Sequence, residues 1–320
     1  MGPIRNFMDR NYRHFNAGET VRAAQGYIRH LEQGGKMMIT LGGAMSTAEL
    51  GITLAEMIRQ DKVHAITCTG ANLEEDVFNL VAHDDYRQVP DWRNLSAKDE
   101  EKLLMDGFNR VTDCAFPETV IRDIQGVMEG YWKEASATGK GFFPYEYFYR
   151  GFEEGVWKDK NHVPWENSWL YAAWQKKLPI FTPGWEDSTL GNIFSSTLID
   201  GITKPCAIRT GPEQMVALHD WYLATTKKNS IGFFQIGGGI AGDFPICVVP
   251  MIRQDLEMDC PLWGYFCQIT DATTSYGGYS GAGGNEKITW EKLAVDTPKF
   301  EINSDATIVA PLIFAYILGQ

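Results

Sequence analysis

KMMITLGGAMSTAELGITLAEMIRQDKVHAITCTG, Lys36 to Gly70, decides the fold. Its opening, Lys36 to Gly42, is a short apolar run that stops at glycine, the pattern of a buried strand. Ser46 to Gln60 then reads as a helix, with Ser46 as N-cap and Glu49 three residues on as its capping-box partner. Val63 to Gly70 is a second apolar strand that again ends in glycine. NLEEDVFNLVAH, Asn72 to His83, reads as a helix opened by Asn72, with an acidic first turn that complements the helix dipole. Strand, helix, strand and helix with short joins predict βαβ units, because parallel neighbours need a crossover connection.

The same theme recurs toward the C-terminus. LPIFTPG (178–184), SIGFFQIGGGI (230–240) and LWGYFCQITDA (262–272) read as strands, the middle one running into a glycine turn. DSTLGNIFSSTLI (187–199) reads as a helix, and SDATIVAPLIFAYIL (304–318) as an apolar helix interrupted by Pro311. The stretch from about 96 to 177 is richer in helix and aromatics, and residues 1 to about 35 form an N-terminal extension. The predicted architecture is a single α/β domain over 1–320: a doubly wound, mostly parallel sheet with helices on both faces. The alternative is two domains split in the middle region.

Bulk properties narrow the function. The 320 residues are 44% hydrophobic and 22% charged, an ordinary globular balance with material for a sizeable core. A net charge of −12 repels polyanions, so no nucleic-acid partner is expected. The six cysteines form no CxxC pair and read as reduced thiols. The start MGPIRNFMDRNYRHF has no apolar core, and no stretch of 18 apolar residues occurs; a cytoplasmic protein without a membrane span is expected. The six histidines lack HExxH or HxxxH spacing, so no metal site is expected, and no GxSxG elbow is present.

In an open parallel sheet, ligands bind outside the carboxyl ends of the strands. A glycine-rich or small polar stretch follows each candidate strand: 42–47, 69–72, 184–192, 237–239, 270–275 and 304–306. Such loops let a backbone approach phosphate and expose helix N-termini. None matches GxGxxG, and GGGIAGD is only similar to it.

NEKITWEKLAVD, Asn285 to Asp296, follows the glycine-rich loop SYGGYSGAGG. A lysine on a predicted helix is ordinarily a solvated cation. Lys292 differs in its neighbours: a long glycine loop precedes it, Trp290 can wall a pocket, and Glu286 can neutralise an amine. A lysine buried in such a pocket releases its proton more readily and attacks imines and carbonyls. Lys287 is placed on the surface. Glu74, Glu75 and Asp76 read either as dipole partners or as carboxylates turned toward a cationic ligand.

Taken in order, TGANLEED, TPGWEDSTLGN, IGGG and NEKITWEKL resemble the deoxyhypusine synthase family, over about Thr40 to the end and most weakly between Val89 and Gln175. The resemblance implies a Rossmann-like fold, a homotetramer with active sites at dimer interfaces, and NAD as cofactor. It also implies dehydrogenation of spermidine and transfer of its aminobutyl group through an imine on the catalytic lysine, which falls on Lys292. NAD contacts carry over to Gly43, Ala44, Met45, Ser46, Thr47, Thr69, Gly70, Ala71, Asp187, Gly238, Asp271, Ala272, Asp305 and Ala306. Amine contacts carry over to Trp290, Glu286 and Glu75, with Glu74 beside it.

The amine side departs from the family pattern. Asn192 stands where a polyamine-binding aspartate is expected, Asp243 where a histidine is expected, and Tyr279 where an aspartate is expected. A di- or polyamine transferase like a homospermidine synthase is therefore the expected function. The alternatives are an authentic deoxyhypusine synthase and a binding protein that has lost catalysis.

Overall fold

The computed structural model describes residues 2–320. Nine strands occur among them: β1 (Lys36–Leu41), β2 (Ala65–Cys68), β3 (Arg87–Gln88), β4 (Phe108–Val111), β5 (Cys114–Pro117), β6 (Ile180–Phe181), β7 (Ile231–Ile236), β8 (Tyr265–Thr270) and β9 (Lys299–Asn303). Six of them form one sheet in the order β6-β2-β1-β7-β8-β9. Every pairing in it is parallel. Counted by sequence within this sheet, the order is third, second, first, fourth, fifth, sixth, the doubly wound arrangement. Its switch point lies between β1 and β7, where successive crossovers change direction.

Residue alternation along the strands separates two cores. Met37, Ile39 and Leu41 of β1 face one apolar cluster, together with Phe234 and Ile236 of β7. Helices Phe15–Glu32, Gly51–Arg59 and Ala306–Leu318 cover that face. Met38 of β1, Phe233 of β7 and Phe266 of β8 face the second cluster, covered by helix Gly211–Thr226 and by Ile246 to Ile252. Sheet residues buried on both faces account for the nearly continuous apolar runs of the sequence.

Several local expectations shift, each for a physical reason. The helix expected from Ser46 begins only at Gly51. Asn72 draws the preceding residues into a loop: its Oδ1 accepts from Ser46 N at 3.0 Å, and its Nδ2 donates to Gly43 O at 2.9 Å. Glu49 lies in the left-handed region at φ 55°, which stops a helix from starting earlier. The following helix runs Gly70–Ala82 with Thr69 as N-cap, not from Asn72, so Glu74, Glu75 and Asp76 fall beyond its first turn and are buried. Pro311 does not interrupt the last helix, which is continuous over Ala306–Leu318. The proline removes only the bond its nitrogen would make to the Thr307 carbonyl.

The middle region contains helices Ala97–Met105, Glu118–Thr138, Pro144–Glu154 and Trp169–Lys176, and also a small antiparallel sheet β3-β5-β4 that the sequence reading did not include. Trp132, Phe148, Trp157 and Trp169 pack into the first apolar cluster. The N-terminal helices Pro3–Asn11 and Phe15–Glu32 also contribute to that cluster, through Met8 and Tyr27. They therefore lie across the sheet from the Lys292 segment, whose Ile288 and Leu293 belong to the second cluster. Among the described residues no helix is long and apolar enough to cross a membrane.

Candidate active site

The parallel sheet brings all the expected cofactor loops to one edge, because every loop in question follows a strand. At the switch point two of these loops meet backbone to backbone. A Cβ on Gly42 would come within 3.0 Å of both the nitrogen and the oxygen of Gly238. Gly237 has φ +74°, a conformation that side-chain-bearing residues avoid. The result is a crevice between the ends of β1 and β7 floored by the backbone of Gly42 and Gly238, with the Ser280 side chain packed on Gly238.

The remaining loops of this edge are tied together. Thr69 caps its helix and donates from Oγ1 to Gly43 O at 2.7 Å. Ser46 Oγ donates to Asn72 O at 2.7 Å and accepts from Trp169 Nε1 at 3.0 Å. Gly70 and Ala71 open the helix after β2, with Ala44, Met45 and Thr47 in the turn after β1. Asp187 and Asp271 are exposed in the loops after β6 and β8, Ala272 N donates to Thr270 Oγ1, and Asp305 caps the helix that begins at Ala306.

The acidic run divides into separate tasks. Glu74 accepts from Thr189 N at 2.9 Å and Leu190 N at 2.8 Å, holding the N-terminus of helix Thr189–Ile199. Asp76 accepts from Ser168 Oγ, Trp169 N and Leu170 N, holding the start of helix Trp169–Lys176. Glu75 accepts from Thr47 Oγ1, which links it to the loop after β1. Burial raises Glu74 and pushes Glu75 and Asp76 up to about 7. Glu74 and Asp76 serve other helices, and Glu75 a loop, rather than the dipole of their own helix. Asn192, in helix Thr189–Ile199, donates to Glu186 O and Ser188 O of the loop that precedes it.

A cavity of about 470 Å³ opens between the helix after β7 and the glycine-rich loop after β8. Lys292, Asp243, Tyr279, Glu286 and Trp290 all line it, so five of the expected lysine and amine residues meet in one place. Lys292 does not sit on a helix. A short 3-10 turn spans Gly284–Ile288, and Leu293 then bridges to Trp263. Glu291 takes φ 54° between the two, which turns the chain and sends the next side chain inward. Lys292 is 7% exposed, and its Nζ lies 3.2 Å from Asp243 Oδ1. Its Nζ is 5.6 Å from the centre of the Tyr279 ring and 5.7 Å from that of Trp290. Trp290 is 59% exposed and stands at the mouth with the exposed Glu286.

Lys287 corrects the sequence reading, which placed it at the surface. It is 2% exposed and lines the same cavity. Its Nζ donates to Ala282 O at 2.8 Å and Gln268 Oε1 at 3.4 Å. Burial, reinforced by the charge of Lys292, lowers it to about 8. Cys247 lies one turn after Asp243 and donates to Oδ1 at 3.5 Å; burial raises its thiol against the opposing pull of Lys292.

Gln235 and Gln268 were also missed. They pair in register in β7 and β8 and point to the cavity face. Gln235 accepts from Tyr279 OH at 2.8 Å, and Gln268 Nε2 donates to Ser280 O at 2.6 Å. The available signal was a glutamine at the same place in each of two apolar strands, GFFQI and YFCQI. A buried amide needs partners, and here the partners are the loop that roofs the cavity.

A doubly wound sheet with a glycine crevice at its switch point, next to a buried lysine in an aromatic and acidic cavity, defines an α/β protein built for nucleotide and amine chemistry. The deoxyhypusine synthase family model matches residues 7–317. A Thermosynechococcus vestitus protein, a deoxyhypusine synthase-like protein, is 28% identical over 88% of this chain and 70% of its own. A Methanosarcina mazei protein named probable deoxyhypusine synthase 2 is 24% identical over 92% of this chain and 79% of its own. A crystal structure assigned as a deoxyhypusine synthase from Entamoeba histolytica superposes with a TM-score of 0.57 at 14% identity, covering 95% of this chain and 88% of that one, which supports the fold. The chain belongs to the deoxyhypusine synthase family.

Proposed function

We propose that this protein is an NAD-dependent transferase that moves an aminoalkyl group, aminobutyl in the simplest case, from a di- or polyamine to an acceptor amine through an imine on Lys292. The observation that carries the reading is the placement of Lys292: buried, 3.2 Å from Asp243, and flanked by Tyr279 and Trp290 in a cavity with room for an amine. A dinucleotide at the switch point is supported by the glycine-rich turns after β1 and β7 that meet there, Gly42 against Gly238. Gly43 to Thr47, Thr69 to Ala71, Asp187, Gly238, Asp271 with Ala272, and Asp305 with Ala306 would hold it. When bound, NAD would take a hydride from the donor amine, which leaves an imine, and as NADH would return that hydride to the imine of the product, so that no net oxidation results.

The chain's own residues do the rest. Lys292 passes a proton to Asp243 and its amine adds to the imine carbon; a C–N bond to Lys292 forms, the C–N bond to the original amine breaks, and that amine leaves with the proton. Asp243 serves as counter-ion to the positive imine nitrogen, and the ring faces of Tyr279 and Trp290 stabilise the same charge. An acceptor amine then adds to that carbon and displaces Lys292. Glu286 at the mouth binds the ammonium end of the incoming amine. The loss of the family's aspartates at Asn192 and Tyr279 favours a small acceptor over a protein lysine. Active sites completed by a second subunit of a homotetramer belong to the same reading.

The test is product analysis by mass spectrometry after incubation with NAD and 1,4-diaminobutane, spermidine or both. A new polyamine formed by the wild type and absent with Lys292→Ala supports the reading. Labelling of a translation-factor lysine instead would establish deoxyhypusine synthesis, and NAD binding without any product would establish a binding protein.

A further inference from the structure

Lys287 occupies a place in the cavity that has the chemistry of an ammonium subsite. A carbonyl oxygen, Ala282 O, and an amide oxygen, Gln268 Oε1, accept from its Nζ. Two ring faces flank the same atom, Phe266 at 4.9 Å and Tyr279 at 5.0 Å. Oxygens on one side and aromatic faces on the other are what recognise an alkylammonium. Here the cation is the protein's own, delivered by the short turn Gly284–Ile288.

The charges of the cavity agree. Its lining holds two carboxylates, Asp243 and Glu286, and two lysines. Asp243 is engaged by Lys292, which leaves Glu286 as the acid available to a ligand. That is enough for an amine that binds by one ammonium end at the mouth and reacts at the other end beside Lys292. A ligand with a third ammonium would have to set it next to Lys287, in a confined space where like charges repel strongly.

We propose that Lys287 fills the inner ammonium subsite of the cavity and so selects diamines over triamines as the donor. The proposal rests on the amine-transferase reading above and sharpens it to a substrate class. Lys287 acts as a specificity-determining residue in this role.

The experiment measures binding and turnover of 1,4-diaminobutane and spermidine in the wild type, Lys287→Ala and Lys287→Met, all with NAD present. The wild type is expected to favour the diamine. Lys287→Ala should shift the kcat/KM ratio toward spermidine by roughly tenfold or more, through KM rather than kcat, as expected when an ammonium site is vacated. Added methylammonium should restore the diamine preference in Lys287→Ala by refilling the subsite. Lys287→Met, which fills the space without charge, should relax the discrimination less than Lys287→Ala and should not respond to methylammonium. An unchanged ratio in both variants, by turnover and by calorimetric binding, would overturn the proposal. Absent turnover with a shifted binding ratio would refute the transferase reading and leave the subsite standing.

Discussion

The crevice at the ends of β1 and β7 and the cavity beside β8 lie on one edge of one sheet, yet they are made differently. The crevice is backbone: Gly42 and Gly238 approach so closely that a Cβ on Gly42 would meet Gly238 at 3.0 Å. The cavity is side chains: two lysines, two acids and two aromatic rings, braced from below by Gln235 and Gln268. A backbone surface keeps its shape when side chains drift, and it suits a cofactor that does not change. A side-chain surface can be rewritten residue by residue. Asp243, Tyr279 and Lys287 give this cavity its own pattern of charge and aromatic faces.

The largest effect that would test this division comes from Lys292. Lys292→Ala should lower transfer by about a thousandfold or more, because nothing else in the cavity supplies the same nucleophile at the same place. NAD affinity, measured by fluorescence titration, should stay within about twofold of wild type if the two regions are independent. Collapse of both would show that they are one unit. The reverse experiment is Gly42→Val, which should weaken NAD binding by roughly a hundredfold while leaving diamine binding nearly intact.

Smaller effects come from the acids beneath the crevice. Glu74→Leu leaves Thr189 N and Leu190 N without their carboxylate and should cost about 2–3 kcal/mol in urea unfolding. The smallest effect is a pH dependence. Glu75 is raised by burial from 4.5 to about 7 in the fold, so between those values the folded chain keeps a proton that the unfolded chain has lost. Stability from this group is therefore highest below about 4.5, declines as pH rises to about 7, and is level above it. Glu75→Gln should flatten the slope of unfolding free energy between pH 5 and 7 by up to about 1 kcal/mol per pH unit. An unchanged slope would mean that Glu75 is ionised throughout.

Strands β1, β2, β6, β7 and β8 were legible because apolar runs and glycine stops report burial and turns directly, whereas β9 and helix Gly211–Thr226 were not. Lys292 was legible through its company: Glu286, Trp290 and a glycine loop within a short span. The start of the helix after β1 was not legible, because Asn72, distant in sequence, competes for the backbone groups that Ser46 would have organised. The acids of TGANLEED were read against the wrong helix for the same reason. Their partners, Thr189 and Ser168, are about a hundred residues away, and only packing brings them together.

By itself the sequence determined the parallel α/β scaffold, the edge where the glycine-rich loops gather and the lysine proposed as nucleophile, since each rests on local periodicity or short motifs. The tertiary structure decided which charges face that lysine. It buried Lys287, paired Asp243 with Lys292 and turned Glu74 and Asp76 to the ends of other helices. The physical reason is that burial and hydrogen-bond pairing depend on neighbours distant along the chain, and these set the charge state on which amine recognition depends.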